Sequence, residues 1–376
     1  MKCRPKKRMP LYNSMIAWVA LTAVVYAAFF SGPAPEKGKV NWFFAVLTFG
    51  YIIFWAGVRT GVADTAEYIY AFENYPDFDV LPQYFASHPK GPGFSALGIF
   101  FRSYVSANYH LWLMFIAIVS GISVMTVVRQ HSVSFFLSAY FFIVSLNFMW
   151  LFNGIRQFLP AAILFGMSWL LIVDNKRWIY ALLIVLLSYV HLTVIILLPF
   201  CFLTHTKPFG PRMMLISVGI ILIIIFMNPV FSTMDDILSE TSTGYTMDFS
   251  AFEDDDGVHP LRVLVAFTPS IIALARRKVL IEYGTPFIHH CVLMSFVAGC
   301  LYLVGMFSSG IMIGRLPIYF ELYNIILLPF LLKCFSRPMS YTMTAICVLM
   351  YFAFYYLQMQ NSYYISEITG LIENTP

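Results

Sequence analysis

The sequence predicts an all-α, polytopic membrane protein, and three observations predict it. Of 376 residues, 60% are hydrophobic and 18% aromatic, with a mean hydropathy of +0.76. Only 11% are charged, against about 25% in soluble proteins. Apolar runs of about 20 residues, the length that crosses a bilayer as a helix, recur along the chain. Basic residues gather in short clusters between those runs, as they do in the cytoplasmic flanks of membrane helices. A chain this long would make two or three soluble domains, but helices that share one bilayer form a single integral domain over 1–376. The formal charge of +4 is small for this length and implies no nucleic-acid partner.

The elements follow in order. The basic head 2–8 and the apolar run 15–30 have the form of a signal sequence. The run exceeds the 7–15 residues of a signal core and has no convincing cleavage site, so a retained helix is expected. A Pro- and Gly-containing link, 31–39, leads to a second span over 40–58. A long polar stretch over 59–110, with Pro76, Pro82, Pro89 and Pro92, reads as an outer loop. Within it 64–74 suits one short helix, and 94–105, interrupted by Arg102, suits an interfacial helix better than a span. Further segments are expected at 111–128, 133–151, 155–173, 178–203, 213–230, 261–274, 287–307, 316–335 and 341–357. About eleven membrane segments result.

The run 178–203 is long enough to cross, yet it has Lys176 and Arg177 before it and Lys207 and Arg212 after it. A re-entrant hairpin of two half-helices turning near His191 puts both clusters on the cytoplasmic side. Arg276, Arg277, Lys278, Lys333 and Arg337 then join them, and the acidic loop 231–260 lies outside with Arg59, Asp64, Arg156 and Arg315. The same count leaves 2–8 outside, against the positive-inside rule.

Polar residues inside apolar segments are expensive, so each is a candidate for function. At the end of the second span stand Arg59 and Asp64, with Tyr68 beyond them. Arg59 as a snorkelling end anchor is the plain structural alternative. Asn153-Gly154-Ile155-Arg156-Gln157 opens a helix, so backbone N–H groups and a guanidinium are presented together, an anion-binding arrangement. His191 lies in an apolar run of more than twenty residues, where it is either a core residue bonded to a neighbouring carbonyl or a proton-transfer group. Gly314-Arg315 precedes a helix that carries Tyr319 and Glu321.

Other signals are weaker. Asp77-Phe78-Asp79 has the form of a glycosyltransferase metal motif, but the tripeptide arises easily by chance. The acidic run 253–256 reads as a solvated loop, and His289-His290 as the start of a span. The six cysteines form no CxxC pair, so neither a disulfide framework nor a metal site is supported. Nucleotide-binding loops, HExxH and GxSxG are absent, and no cofactor is expected. Several arginines without a metal motif, in a membrane, suit a lipid-linked diphosphate. Guanidinium pairs phosphate oxygens in a fork and stabilises charge on a leaving diphosphate.

Arg59-Thr60-Gly61-Val62-Ala63-Asp64 with Tyr68, then Gly91-Pro92-Gly93-Phe94, Ile155-Arg156-Gln157, His191, and Gly314-Arg315 with Tyr319-Phe320 carry a resemblance. In their order and spacing they resemble the EpsG-like proteins of exopolysaccharide and capsule synthesis, which are similar to Wzy O-antigen polymerases. Ala63 stands where the family usually has Thr, and Leu192-Thr193 follow the His where it has Lys-Ser. The resemblance implies a GT-C-like fold in the bacterial inner membrane. It implies a polysaccharide polymerase joining undecaprenyl-diphosphate-linked repeat units at the periplasmic face. Membrane lipid and other assembly proteins, a flippase and a chain-length regulator, are the partners it implies.

On this reading His191 and Asp64 are the catalytic candidates, with His191 favoured for proton transfer and Asp64 for holding Arg59. Arg59, Arg156 and Arg315 bind diphosphate, and Tyr68, Asn153, Gln157 and Tyr319 complete the substrate site. A lipid-linked glycan flippase or another transporter, and a membrane acyltransferase acting on sugars, are the alternatives. A transporter favours repeat symmetry, which the chain lacks, and an acyltransferase needs more than His191 alone.

Overall fold

A computed structural model describes residues 9–30, 39–87, 92–204, 207–216, 219, 257–307, 310 and 313–374. The basic head 2–8, most of the expected span 213–230 and nearly all of the acidic loop 231–260 lie outside the described residues. Among the described residues four helices are long and apolar enough to cross a membrane: Pro10–Phe29, Tyr109–His131, Pro286–Phe307 and Arg337–Met359. The pair Ile313–Tyr319 and Glu321–Lys333, bent by 48°, adds a fifth if it counts as one span. Shorter apolar helices accompany them: Trp42–Gly57, Phe135–Val144, Ile155–Gly166, Arg177–Ser188, Leu192–Phe202 and Pro260–Ala275.

Local chemistry explains several boundaries. Asn41 caps Trp42–Gly57 by accepting from the Phe44 N–H at 2.9 Å, and Asn108 caps Tyr109–His131 by accepting from His110 N–H at 2.9 Å. Pro10 and Pro260 open their helices, where the missing N–H costs nothing. Arg129 closes Tyr109–His131 from the C-terminal turn, bonding the Val40 carbonyl at 2.8 Å and lying over Trp42.

Several expected spans are broken. The run 133–151 is a helix Phe135–Val144 and a 3-10 segment Asn147–Leu151, with Leu146 left-handed between them. The run 155–173 breaks after Gly166 into Ile155–Gly166 and Ser168–Ile172. The run 178–203 breaks around His191 into Arg177–Ser188 and a 3-10 helix Leu192–Phe202, and the two pack on each other. The stretch 59–110 carries the short helices Thr65–Glu73, Leu81–Ser87 and Pro92–Tyr104.

One element has no signal in the sequence. Tyr364–Ser366 and Leu371–Glu373 form an antiparallel hairpin, with Tyr364 opposite Glu373 and Ile365 opposite Ile372. Gly370, at φ +67°, lies in its turn.

The chain divides into two compact units. The first comprises 1–75, 98–166 and 328–376. In it Trp42–Gly57 packs on Tyr109–His131, which packs on Ile155–Gly166, around Phe49, Ile52, Val124 and Phe142. The second comprises 76–97 and 167–327. There Pro260–Ala275 packs on Pro286–Phe307 around Val258, Val263, Ala266 and Tyr302.

Candidate functional site

In the first unit the site begins where Trp42–Gly57 runs out. The last carbonyls of a helix have no partner inside it and favour a cation. Arg59 supplies both needs, folding back so that Nη1 donates to the Ala56 carbonyl. Nε donates to Thr65 Oγ1 at 3.1 Å, and Thr65 donates in turn to the Val62 carbonyl at 2.6 Å. The side chain is only 1% exposed, so Arg59 does not snorkel to a surface. Burial pulls its pKa below the ordinary guanidinium value to about 10, which leaves it charged at neutral pH. Nη2 is buried and has no hydrogen-bond partner.

Asp64 does not hold this guanidinium. Among the described residues no ion pair joins the two, and Thr65, the next residue, meets Arg59 instead. Ala63, at φ +43°, turns the chain ahead of the helix Thr65–Glu73 and leaves Asp64 at that helix's start. The Asp64 carboxylate acts on Tyr68, one helical turn along. Burial first and Asp64 next raise the Tyr68 pKa, while Arg156 and Arg59 oppose the rise, so the charges of all three residues act on one phenol.

Arg156 enters at the start of Ile155–Gly166, just after Gly154, which takes φ +65°. Its backbone N–H donates to the Tyr68 hydroxyl. The N–H groups of Gln157 and Phe158 go to the Gly154 carbonyl, both at 3.0 Å. The amides expected to await an anion are therefore occupied. What remains are side chains: Arg156 Nε and Asn153 Oδ1 are buried without partners. Gln157 is buried beside them in sequence.

In the second unit His191 sits at the break, its backbone extended, with its N–H on the Leu187 carbonyl at 3.1 Å. Its ring reaches two hydroxyls through Nδ1. That nitrogen lies 2.8 Å from Thr193 Oγ1 and 3.4 Å from the Tyr319 hydroxyl, and Thr193 and Tyr319 are 2.7 Å apart, closing a triangle. Gly93 donates to the Tyr189 carbonyl at 2.8 Å, and a Cβ there would fall 2.8 Å from the Tyr189 carbonyl carbon. Arg315 lies in the same 3-10 segment as Tyr319 but is exposed.

Sequence reasoning missed a second polar relay in this unit. Arg262 Nη2 donates to the Tyr302 hydroxyl at 2.9 Å, and Tyr302 donates to Glu321 Oε2 at 2.7 Å. Glu321 is 6% exposed and Tyr302 1%. A charged residue within the apolar run 261–274 was the available signal.

Buried polar clusters set into long and broken apolar helices define a membrane-embedded helical protein with functional groups inside it. The EpsG family model matches residues 42–369, and the chain belongs to the EpsG family, placing it with exopolysaccharide-associated, polymerase-like membrane proteins. No curated protein and no solved structure matches the chain. The matched span takes in Arg59, Asp64, Tyr68, Arg156, His191 and Tyr319.

Proposed function

We propose that this chain is a membrane glycosyltransferase that polymerises oligosaccharide repeat units carried on undecaprenyl diphosphate. The reading places it in the bacterial inner membrane, with about eleven membrane segments, a re-entrant hairpin at His191 and the reaction at the periplasmic face. The observation that carries it is the buried Arg59 guanidinium, whose Nη2 has no partner. A buried cation without an anion is costly, so the site favours an anionic ligand. Arg156, with Nε also unpaired and with Tyr68 in common, supplies a second guanidinium. Two such forks suit a diphosphate better than a single carboxylate.

In the reaction, an acceptor sugar hydroxyl oxygen bonds to the donor's anomeric carbon as the bond from that carbon to the diphosphate oxygen breaks. The diphosphate leaves with the bonding pair, and its charge is what Arg59 and Arg156 stabilise. The hydroxyl proton goes to a base, for which His191 is assigned and Asp64 is the rival. In the tautomer with the proton on Nδ1, the ring donates to Thr193 and Nε2 carries the lone pair. Arg315, being exposed, is left out of the Arg59 and Arg156 pair and assigned to the approach of the anionic carrier.

Deleting the gene tests the reading. Single repeat units should accumulate on lipid carrier at the outer face of the membrane, with no polymer. Accumulation on the inner leaflet would make the protein a flippase.

A further inference from the structure

We propose that the C-terminal hairpin over 364–373 is the element that sets Arg59, and that Tyr364 and Ser366 are positioning residues for its guanidinium. The significance for catalysis rests on the diphosphate role proposed for Arg59. The geometry does not depend on that role.

The hairpin pairs with the Arg59 loop through a single antiparallel bridge. Thr60 N–H and Gly61 N–H both donate to the Ile365 carbonyl, at 2.8 and 3.1 Å, and Ile365 N–H donates back to the Gly61 carbonyl at 3.0 Å. Gly61 and Ile365 pair as an antiparallel bridge. The fit is close, since a Cβ on Gly61 would fall 2.9 Å from the Ile365 Cβ.

Side chains two apart on the same strand point to one face, and here that face is directed at the end of Trp42–Gly57. Ser366 donates to the Val58 carbonyl at 2.7 Å, and the Tyr364 hydroxyl donates to the Trp55 carbonyl at 2.8 Å. Arg59 itself takes the Ala56 carbonyl that lies between them. The carbonyls left over at this helix end are thus shared among Arg59 and its two hairpin neighbours. Val58 and Thr60, the residues on either side of Arg59, are both tied to the hairpin. Tyr364 also acts electrostatically on the guanidinium. Both side chains are buried, Tyr364 at 0% and Ser366 at 1% exposed.

The far end of the hairpin is anchored too. Glu373 accepts from the Leu11 N–H at the start of Pro10–Phe29, at 2.9 and 3.2 Å, and Tyr12 donates to the Tyr363 carbonyl at 3.0 Å. A loop whose buried cation must be preorganised is therefore clamped from one side by a strand fixed at its other end.

Purified full-length protein in lipid nanodiscs tests this, with inorganic pyrophosphate as an inhibitor of polymer synthesis from lipid-linked repeat units. The Tyr364→Phe/Ser366→Ala pair loses two buried hydrogen bonds, so amide exchange at Thr60 and Gly61 should rise about tenfold. Pyrophosphate inhibition should weaken by about the same factor. Ser366→Thr, which keeps the hydroxyl, should restore both toward wild type and keeps the test open if the double variant folds poorly. Unchanged exchange in the double variant overturns the proposal. So does faster exchange with wild-type pyrophosphate inhibition, provided Arg59→Ala abolishes that inhibition. If Arg59→Ala leaves the inhibition intact, the diphosphate role is what fails, and exchange alone decides whether the hairpin sets the loop.

Discussion

Arg59 Nε donates to Thr65 Oγ1 at 3.1 Å, so a neutral hydroxyl, rather than the adjacent carboxylate of Asp64, orients the buried guanidinium. The difference matters for binding. A carboxylate at that place would neutralise the cation, whereas a hydroxyl fixes its direction and leaves its charge for a ligand.

Thr65→Val keeps the shape and removes the acceptor. The lost bond is to a charged group and is worth about 1.5–3 kcal/mol, so polymer synthesis should fall by about tenfold or more. Thr65→Ser should retain most activity. Polymer yield, with melting temperature read in parallel, checks this, and equal activity in Val and Ser variants would remove Thr65 from the site.

Lysine substitutions should separate the arginines by burial. Arg59→Lys loses the bond from Nε and the planar fork, and Arg156→Lys loses its fork, so each should cost about 100-fold in rate, the scale of removing one preorganised donor. Arg315 is exposed, and Arg315→Lys should change rate by only about twofold, as surface changes generally do. Initial rates on lipid-linked repeat units give the ranking. A larger effect at Arg315 than at Arg59 would reverse the assignment.

How much of this was legible in the sequence depended on the kind of signal. Hydropathy located Tyr109–His131, Pro286–Phe307 and Arg337–Met359 to within a few residues because each is one uninterrupted run. It missed the breaks after Val144 and Gly166, since periodicity inside a continuous apolar run does not report where a helix ends. The break at His191 was legible because basic clusters on both sides made a simple crossing inconsistent. Charges in apolar surroundings picked out Arg59, Asp64, Tyr68 and Arg156, which do gather. What they could not show is orientation, which is why Asp64 was expected to hold Arg59. The hairpin at 364–373 was illegible because its strands are three residues long and one partner, Gly61, is hundreds of residues away.

Glu373 ties that hairpin to the first helix, and its titration predicts a pH dependence. Burial raises its pKa above the ordinary 4.5, against the lowering effect of the Leu11 N–H. A folded-state value above the unfolded one means that the folded state holds the proton more tightly. The favourable contribution is present below the unfolded value and is lost as pH rises through the folded value. The melting temperature should therefore decline from the acid side toward neutrality. Glu373→Gln, which keeps an acceptor without a charge, should flatten that decline. Glu373→Ala, which removes the acceptor as well as the charge, should lose about 1 kcal/mol, as loss of a helix cap does, and should show no such decline. Melting temperature over a pH series decides it, and identical profiles for wild type and the Gln variant would exclude Glu373 as the titrating group.

The last prediction concerns the proton. The leaving diphosphate is already a stable anion, so one base suffices for the attacking hydroxyl, and an imidazole is suited to that work. An imidazole base must be unprotonated to act, so activity should fall on the acid side. His191→Ala should remove this acid limb and cost about 10²–10⁴-fold in rate. Thr193→Val and Tyr319→Phe break the triangle on Nδ1 without removing the ring. Each should lower kcat by about tenfold, the effect of one lost orienting bond to the ring, and leave KM near its wild-type value. That split separates orientation of the base from binding. Asp64→Asn should weaken activity evenly across pH if its carboxylate acts through Tyr68. Should His191→Ala keep the acid limb while Asp64→Asn abolishes it, the triangle is a structural feature of the second unit, and Asp64 is the base.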